Sequence, residues 1–500
     1  MGLIVTVCKR SGIILVTGLN QFSKGRSHMV ELEAGLKIEN EAAGCVNVDR
    51  LAAGVREVLS VATKAAQAKG WQLYLVGGGV RDLLRLDGDD IGLTDLDLVV
   101  DGVGADGAGV TLAEGLRSRY PEAKLTVHPT FQTAALVWTA GSEFGTLMID
   151  LATARTERYP YAGANPVVRS GSIESDLRRR DFTVNAMALR LTEPKAGELL
   201  DFYGGAEDLA AGVLRVLHPD SFIDDPTRIF RGARFAARLE FEFEAGTRDL
   251  IRRAMESGIY AKTLAENTSV PALQTRLRAE MKYLFSAPEW KKAVRILRSV
   301  EGLYCIDPSL VALENLNETD WRVLWRSLVR MDGWLRDYDF GIARWQCLLE
   351  LILVAADDAV EATDRLQMPG GAMDRGQRAL IATGDIKQRL KPGDSRSRVD
   401  EVLRRYRDDP AVLWLAAARM DDPWRCQIWT YLTAGTKVKP MLDGTDLMEL
   451  GVPRGKGMKG ILETLRLATL DGQVTNRGSA IEFLRELGVI DGLIDDSEGF

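Results

Sequence analysis

Leu73-Tyr74-Leu75-Val76-Gly77-Gly78-Gly79-Val80-Arg81-Asp82 and, a little further on, Thr94-Asp95-Leu96-Asp97-Leu98-Val99-Val100 decide the fold of this chain. The apolar run Leu73 to Val76 reads as a buried strand that stops at three glycines, where an amphipathic helix begins. Glycines there let backbone N–H groups approach a phosphate closely, and a helix start adds its dipole. In the second stretch, strand alternation puts the Asp95 and Asp97 side chains on one face. Two carboxylates so close repel one another unless a divalent cation neutralises them, which is how a magnesium-triphosphate site is built. Asp150, at the end of the later strand Leu147 to Leu151, can supply a third. Taken alone, the glycines also suit a tight strand-to-helix turn, and the paired aspartates a solvated strand end.

Outward from these stretches the pattern is α/β. Val55 to Ala68 and Thr111 to Tyr120 have helical spacing, while Leu125 to His128 and Ala134 to Trp138 read as strands, giving a small mixed sheet with helices. Beyond about Asp181 the strand signals fade, and Leu-, Ala- and Arg-rich stretches at helical period run to the end, broken by prolines such as Pro271, Pro369 and Pro453. The fold class is therefore α+β, a head followed by a long helical remainder. At 500 residues the chain holds several domains, given roughly 150 residues for each.

Composition removes several classes of function. A 46% hydrophobic and 27% charged chain is not wholesale disordered, and no apolar run is long enough to span a membrane. The cysteines are five and scattered, without a CxxC, which leaves no disulfide framework or zinc site. A Ser-His-Asp hydrolase would need His28, His128 or His218, none in a suitable setting. The net charge of −7 excludes a protein basic all over but not a local basic groove. Up to Met29 there is no acid; this segment is expected to be an unstructured extension or a start assigned too early, a targeting leader being the alternative. Gly102-x-Gly104-x-x-Gly107 imitates a dinucleotide fingerprint but lacks its acid about 20 residues on. Gly451 to Gly457 falls one residue short of a P-loop.

A third cluster is Arg178-Arg179-Arg180-Asp181-Phe182-Thr183-Val184-Asn185-Ala186-Met187-Ala188, at helical spacing with Phe182, Ala186 and Leu189 on an apolar side. Arginine forks suit phosphate oxygens, and Asp or Asn suits ribose hydroxyls. GGGVRD, DLD and RRDFTVNAMA in this order resemble the class II tRNA nucleotidyltransferases (CCA-adding enzymes) and bacterial poly(A) polymerases, within the polymerase-β-like superfamily. The resemblance continues through Leu200-Asp201-Phe202-Tyr203-Gly204-Gly205, similar to the family's hinge motif. Phe222-Ile223-Asp224-Asp225-Pro226-Thr227-Arg228 is similar to its EDxxR nucleotide template, and Arg276 with Glu280, at i,i+4 spacing, to its helix-stabilising motif. The chain departs at Asp224, where the family usually has Glu, which shortens one side chain. The C-terminal segment resembles cyanobacterial-type members.

The resemblance implies a nucleotidyltransferase head (51–190) after an N-terminal extension (1–50). An all-helical neck carrying the template (191–265), a body (266–430) and a tRNA-binding tail (431–500) would follow. It implies Mg2+ on Asp95 and Asp97, with Asp150 as a further catalytic carboxylate. Gly77, Gly78, Arg81, Arg180, Asp181 and Asn185 would hold triphosphate and ribose, and Asp225, Arg228, Arg231 and Arg234 would complete the nucleotide site. The implied reaction is attack of a tRNA 3′-hydroxyl on the α-phosphate of CTP or ATP, in the cytoplasm, to add CCA. A-only addition, poly(A) tailing and an RNA-binding protein with an inactive head are the alternatives.

The template has a logic of its own. An ionised Asp225 only accepts hydrogen bonds and Arg228 only donates them, which fits the amino group and ring nitrogen of cytosine or adenine and mismatches uracil and guanine. The same residues also suit a helix start, with Asp224 or Asp225 as cap and Pro226 in the first turn. Arg155 to Asp176 has the composition of a mobile polar loop, the place where the family switches from C to A. For RNA, Arg228, Arg231, Arg234 and Arg238 share a helix face, and Lys437, Lys439, Arg454, Lys456 and Lys459 form a second basic group.

Overall fold

The computed structural model describes residues 48–490 apart from 87–89, 103–106, 260–270, 308–309, 311–317 and 357. The expectations for residues 1–47, for Gly104 and for the last ten residues of the tail (491–500) lie outside the described residues.

The head is built on β1 (Gln72–Val76), β2 (Asp95–Asp101), β3 (Lys124–His128), β4 (Thr133–Trp138) and β5 (Leu147–Thr153). Two short strands, β8 (Ala188–Arg190) and β9 (Leu199–Leu200), complete a seven-stranded sheet of order β3-β4-β5-β2-β1-β8-β9. Only β2 and β5 run parallel; every other neighbour is antiparallel. Alternation explains which face is which. Leu96 and Leu98 of β2 and Leu147, Ile149 and Leu151 of β5 turn into one core. There they meet Val55, Val58, Leu59, Ala62 and Ala66 from the helix α1 (Ala53–Ala68) and Leu112 and Leu116 from α3 (Ala108–Arg119). Each of the valine, leucine and isoleucine side chains removed from water stabilises the fold by about 1.5–3 kcal/mol. The residues between them, Asp95, Asp97 and Asp150, must then point to the opposite face.

Two local expectations fail. Arg155 to Asp176 is not a loop: β6 (Arg155–Arg158) pairs antiparallel with β7 (Val167–Ser170), and the short helix α4 (Ile173–Arg178) follows. The polar residues that suggested mobility hold one another. Glu157 pairs with Arg155 and Arg179, and fully buried Asp176 pairs with Arg179 and Arg180. The block after Arg180 is not helical beyond a single turn, Thr183–Asn185, because Ala188 to Arg190 is drawn into the sheet beside β1.

Helices dominate from Ser221 onward. One continuous apolar core runs from Phe182 to Tyr431, and a separate one gathers Leu442 to Ile490. Phe182 belongs to the first, with its ring against Phe235 and Phe243. A Cβ at Gly232 would come within 2.5 Å of Phe243 and 2.8 Å of Phe182, so the helix Thr227–Leu239 lies hard against the block that follows Arg180. The second core is tied back by Asp400, which accepts from Arg404 and Arg466. Among the described residues no helix is long and apolar enough to cross a membrane. Gly102 of the dinucleotide-like motif is explained by packing, since a Cβ there would meet Trp71 Cδ1 at 2.7 Å.

Candidate active site

Val76 hydrogen-bonds opposite Asp97, and Asp97 sits in register with Asp150 across the parallel pair. Asp95, Asp97 and Asp150 thus share the mouth of one cavity of about 860 Å3. None of the three makes a hydrogen bond or ion pair to another described residue. Burial, then the neighbouring charge of Asp97, raises the Asp95 carboxyl. Burial followed by Asp97 and Asp95 pushes Asp150 up to about 6. Among the described residues no three side chains already close into a finished metal-ligand set. An open, oxygen-only group of mutually repelling carboxylates nevertheless suits a hard divalent cation, which would relieve the repulsion.

Beside them the chain turns from β1 into α2 (Gly78–Arg85) through Gly77, at φ 69°. A Cβ there would lie 2.8 Å from Arg180 Nη1 and 2.9 Å from Asp97 Oδ2, so glycine is needed both for the backbone and for the approach of these two groups. Arg81, buried in α2, donates to Asn185 Oδ1 at 2.7 Å and to Asp82. Asn185 Nδ2 donates to Asp181 at 3.0 Å, and Arg231 donates to Asp181 at 2.7–2.8 Å. Burial alone would raise the Asp181 carboxyl. The charge of Arg231 and the bond from Asn185 outweigh it and hold the group at about 2. Glu280 accepts from Arg231 and Arg234, both at 3.4 Å.

The far wall carries Asp225 and Arg228, the two residues expected to form the template. Asp225 Oδ1 accepts from Thr227 N at 3.0 Å and from its hydroxyl at 2.6 Å, the kind of bond a helix-capping carboxylate makes. Its other oxygen faces Arg276 Nη1 at 3.0 Å. Arg228 donates to the Arg179 carbonyl at 2.8 Å and to Ser221 Oγ at 3.3 Å. Asp225 thus makes cap-like bonds to Thr227 while it and Arg228 both line the cavity. The expected Arg276–Glu280 pair is absent among the described ion pairs. Arg276 reaches Asp225 and the carbonyls of Gly163 and Ala164 in the β6–β7 connection, while Glu280 serves the arginines of the neck.

All thirteen residues expected in the catalytic and nucleotide sites, Gly77 to Arg234, line this cavity. Lys437, Lys439, Arg454, Lys456 and Lys459 do not; all are exposed, the first two after the helix Trp424–Thr433 and the other three at the start of the helix Lys456–Leu470. Sequence reasoning missed the hairpin's contribution of Arg155, Glu157 and Tyr159, and it missed Arg276 as a template partner. The Tyr159 hydroxyl donates to Glu157, and burial, then Glu157 and Asp225, pushes its pKa up to about 12. The polar alternation Arg155-Thr156-Glu157-Arg158 was the available signal.

Residues 73–215 match the Poly A polymerase head domain. Over 423 residues the chain is 30% identical to the A-adding tRNA nucleotidyltransferase of Halalkalibacterium halodurans, covering 83% of this chain and 88% of that protein. It is 31% identical to the A-adding tRNA nucleotidyltransferase of Aquifex aeolicus across 81% of its own length but spans only 45% of that longer protein. A CC-adding tRNA nucleotidyltransferase of Deinococcus radiodurans is 40% identical over 49% of this chain and 58% of its own. Among solved structures, the Thermotoga maritima CCA-adding enzyme complexed with tRNA superposes with a TM-score of 0.65 at 27% identity, over 88% of this chain and 98% of that one. The matched head domain and this breadth of similarity agree, and the chain belongs to the tRNA nucleotidyltransferases of the CCA-adding family.

Proposed function

We propose that this chain extends the 3′ end of tRNA with C and A from CTP and ATP, releasing pyrophosphate. The observation that carries the reading is one cavity holding three unpartnered carboxylates on one wall and a donor–acceptor pair, Arg228 and Asp225, on the other. Asp95 and Asp97 would hold Mg2+, with Asp150 beside them. When bound, the cation would acidify the RNA 3′-hydroxyl and neutralise charge on the phosphates. Asp150 can take a proton from that hydroxyl at its carboxylate. The 3′-oxygen then bonds to the α-phosphorus as the bond to the β-phosphate oxygen breaks. The start of α2 at Gly77 and Gly78, with Arg180, would hold the triphosphate, and Asp181 with Asn185 and Arg81 would hold the ribose side. Arg231 and Arg234 would fix Glu280 and Asp181 behind the template. Lys437, Lys439, Arg454, Lys456 and Lys459 would meet the RNA backbone.

Similarity to A-adding relatives along most of the chain favours a second reading, in which only the terminal A is added. tRNA transcripts ending at the discriminator base, at C and at CC, each given CTP and ATP, separate the two. Extension of all three to one end supports full CCA addition. Extension of the CC-ended transcript alone, and with ATP alone, replaces it with A addition, and long adenosine tails on unrelated RNAs would indicate poly(A) synthesis.

A further inference from the structure

Outside the cavity, the helix Trp290–Ser299 carries Lys291, Lys292, Arg295 and Arg298 with no acid in its span. Two of these residues have an unusual setting. The Arg295 guanidinium lies over the Trp325 ring and that of Arg298 over Trp321, each 4.5 Å from the ring centroid. The two indoles come from one turn of the helix Glu318–Asp337 and stack on each other at 5.8 Å with their planes 27° apart. Neither arginine makes an ion pair with a described residue, whereas the neighbouring lysines do, Lys291 with Asp332 and Lys292 with Glu240. Arg295 is exposed and Arg298 partly so.

A guanidinium held over an indole without an acidic partner keeps its charge, loses little further freedom on binding, and has N–H groups left to donate. Two such forks at i,i+3 spacing stand about 4.5 Å apart along the helix axis, within reach of successive anionic groups on one strand. We infer that Arg295 and Arg298, braced on Trp325 and Trp321, form a phosphodiester-binding clamp for the duplex part of the RNA whose 3′ end occupies the cavity. The inference rests on the proposed action on tRNA. The fold supports the continuity: the clamp helix packs against Thr227–Leu239 through the same apolar core. Its first residue follows Glu289, whose charge acts on Arg238 at the cavity wall. A site for an acidic protein would not need to begin at that wall. Sequence alone gave no sign of the clamp, because an arginine-rich helix face looks the same whether its charges are neutralised by acids or braced on aromatic rings.

The test is binding of full-length protein to tRNA across a salt series, for wild type and for Arg295→Gln/Arg298→Gln, with ATP incorporation into the same RNA read in parallel. The expected result is an affinity lower by about tenfold and a salt slope shallower by about 1.4 to 1.8 for two lost phosphate contacts. Incorporation at saturating RNA and the KM for ATP should be unchanged. Arg295→Lys/Arg298→Lys, which keeps charge but not the flat fork, should restore the slope and only part of the affinity. Unchanged affinity and slope in the glutamine variant, with its melting temperature preserved, would assign the arginines to packing alone. Weaker binding with an unaltered slope would equally overturn the clamp. Failure of the wild-type protein to extend tRNA would instead defeat the proposed activity, an outcome visible in the control lane.

Discussion

The cavity has two acidic walls in opposite electrostatic states. On the strand wall, Asp95, Asp97 and Asp150 make no ion pair with a described residue, and the weak pull of Arg238 on Asp95 and of His128 on Asp150 does not offset their repulsion, so that Asp150 is pushed up to about 6. On the neck wall, Asp181 is also buried, yet Arg231 and Asn185 hold it at about 2, and Glu280 takes up two more arginine contacts. Burial penalises both groups; what differs is whether the chain supplies the compensating charge. The neck wall is complete in itself and fixes geometry. The strand wall is left incomplete, a state that costs stability and makes sense where an outside cation finishes the site.

Removing a carboxylate from each wall should therefore have different consequences. The largest effect is expected from Asp97→Ala, which should reduce nucleotide incorporation on the order of 1,000-fold, the loss of about 4 kcal/mol of transition-state stabilisation. Its tRNA affinity should be unchanged, and its melting temperature in a chelator should equal or exceed that of wild type, since a like charge is gone. Incorporation above a few per cent of wild type in magnesium would remove Asp97 from catalysis. Next, Asp181→Ala leaves the partly exposed Arg231 guanidinium with Glu280 alone and removes the acceptor of Asn185 Nδ2, and should cost about 2 kcal/mol in urea unfolding; a loss under about 1 kcal/mol would mean the neck wall is not self-supporting.

Smaller again is Asp225→Ala, which removes one side of the base-edge pairing. Discrimination of CTP and ATP against UTP and GTP should fall by roughly 10- to 100-fold, the worth of 1–3 kcal/mol of unpaired polar groups, while triphosphate affinity changes little. An equal drop in rate for all four nucleotides would leave Asp225 as a helix cap only. The mildest contrast is in pH dependence. The stability that Asp181 contributes is full above its ordinary value near 4 and is lost as pH falls toward 2. Asp150 has the reverse sign: its folded pKa is raised, so ionising it withdraws stability as pH rises from about 4 through about 6. In a chelator, wild type should therefore become progressively less stable than Asp150→Asn over that interval, and magnesium should narrow the gap. A gap that does not grow with pH would contradict the repulsion described for the strand wall.

The strand wall was legible because alternation is local: once Leu96 and Leu98 are inside, Asp95 and Asp97 are outside. The neck wall was legible only in part. Asp225 and Arg228 lie three residues apart, but the partner of Asp225 is Arg276 and the partners of Glu280 are Arg231 and Arg234, pairings between distant stretches that no spacing rule reveals. The stretch from Arg155 to Asp176 misled for a different reason. Its charged residues satisfy one another across β6, β7 and α4, so a packed hairpin carries the composition of a solvated loop. The arginine block looked helical because Phe182, Ala186 and Leu189 have helical spacing, yet Leu189 is a strand residue paired with Leu75.

The parallel register of β2 and β5 that sets Asp97 against Asp150 also seats Leu96 against Ile149 and Leu98 against Leu151 in the core. Because side chains alternate strictly, a one-residue slip of β2 would bury its acids and expose its leucines. Folding thus proofreads the cavity: a head assembled in the wrong frame forfeits its core together with the acidic wall, so one register secures both.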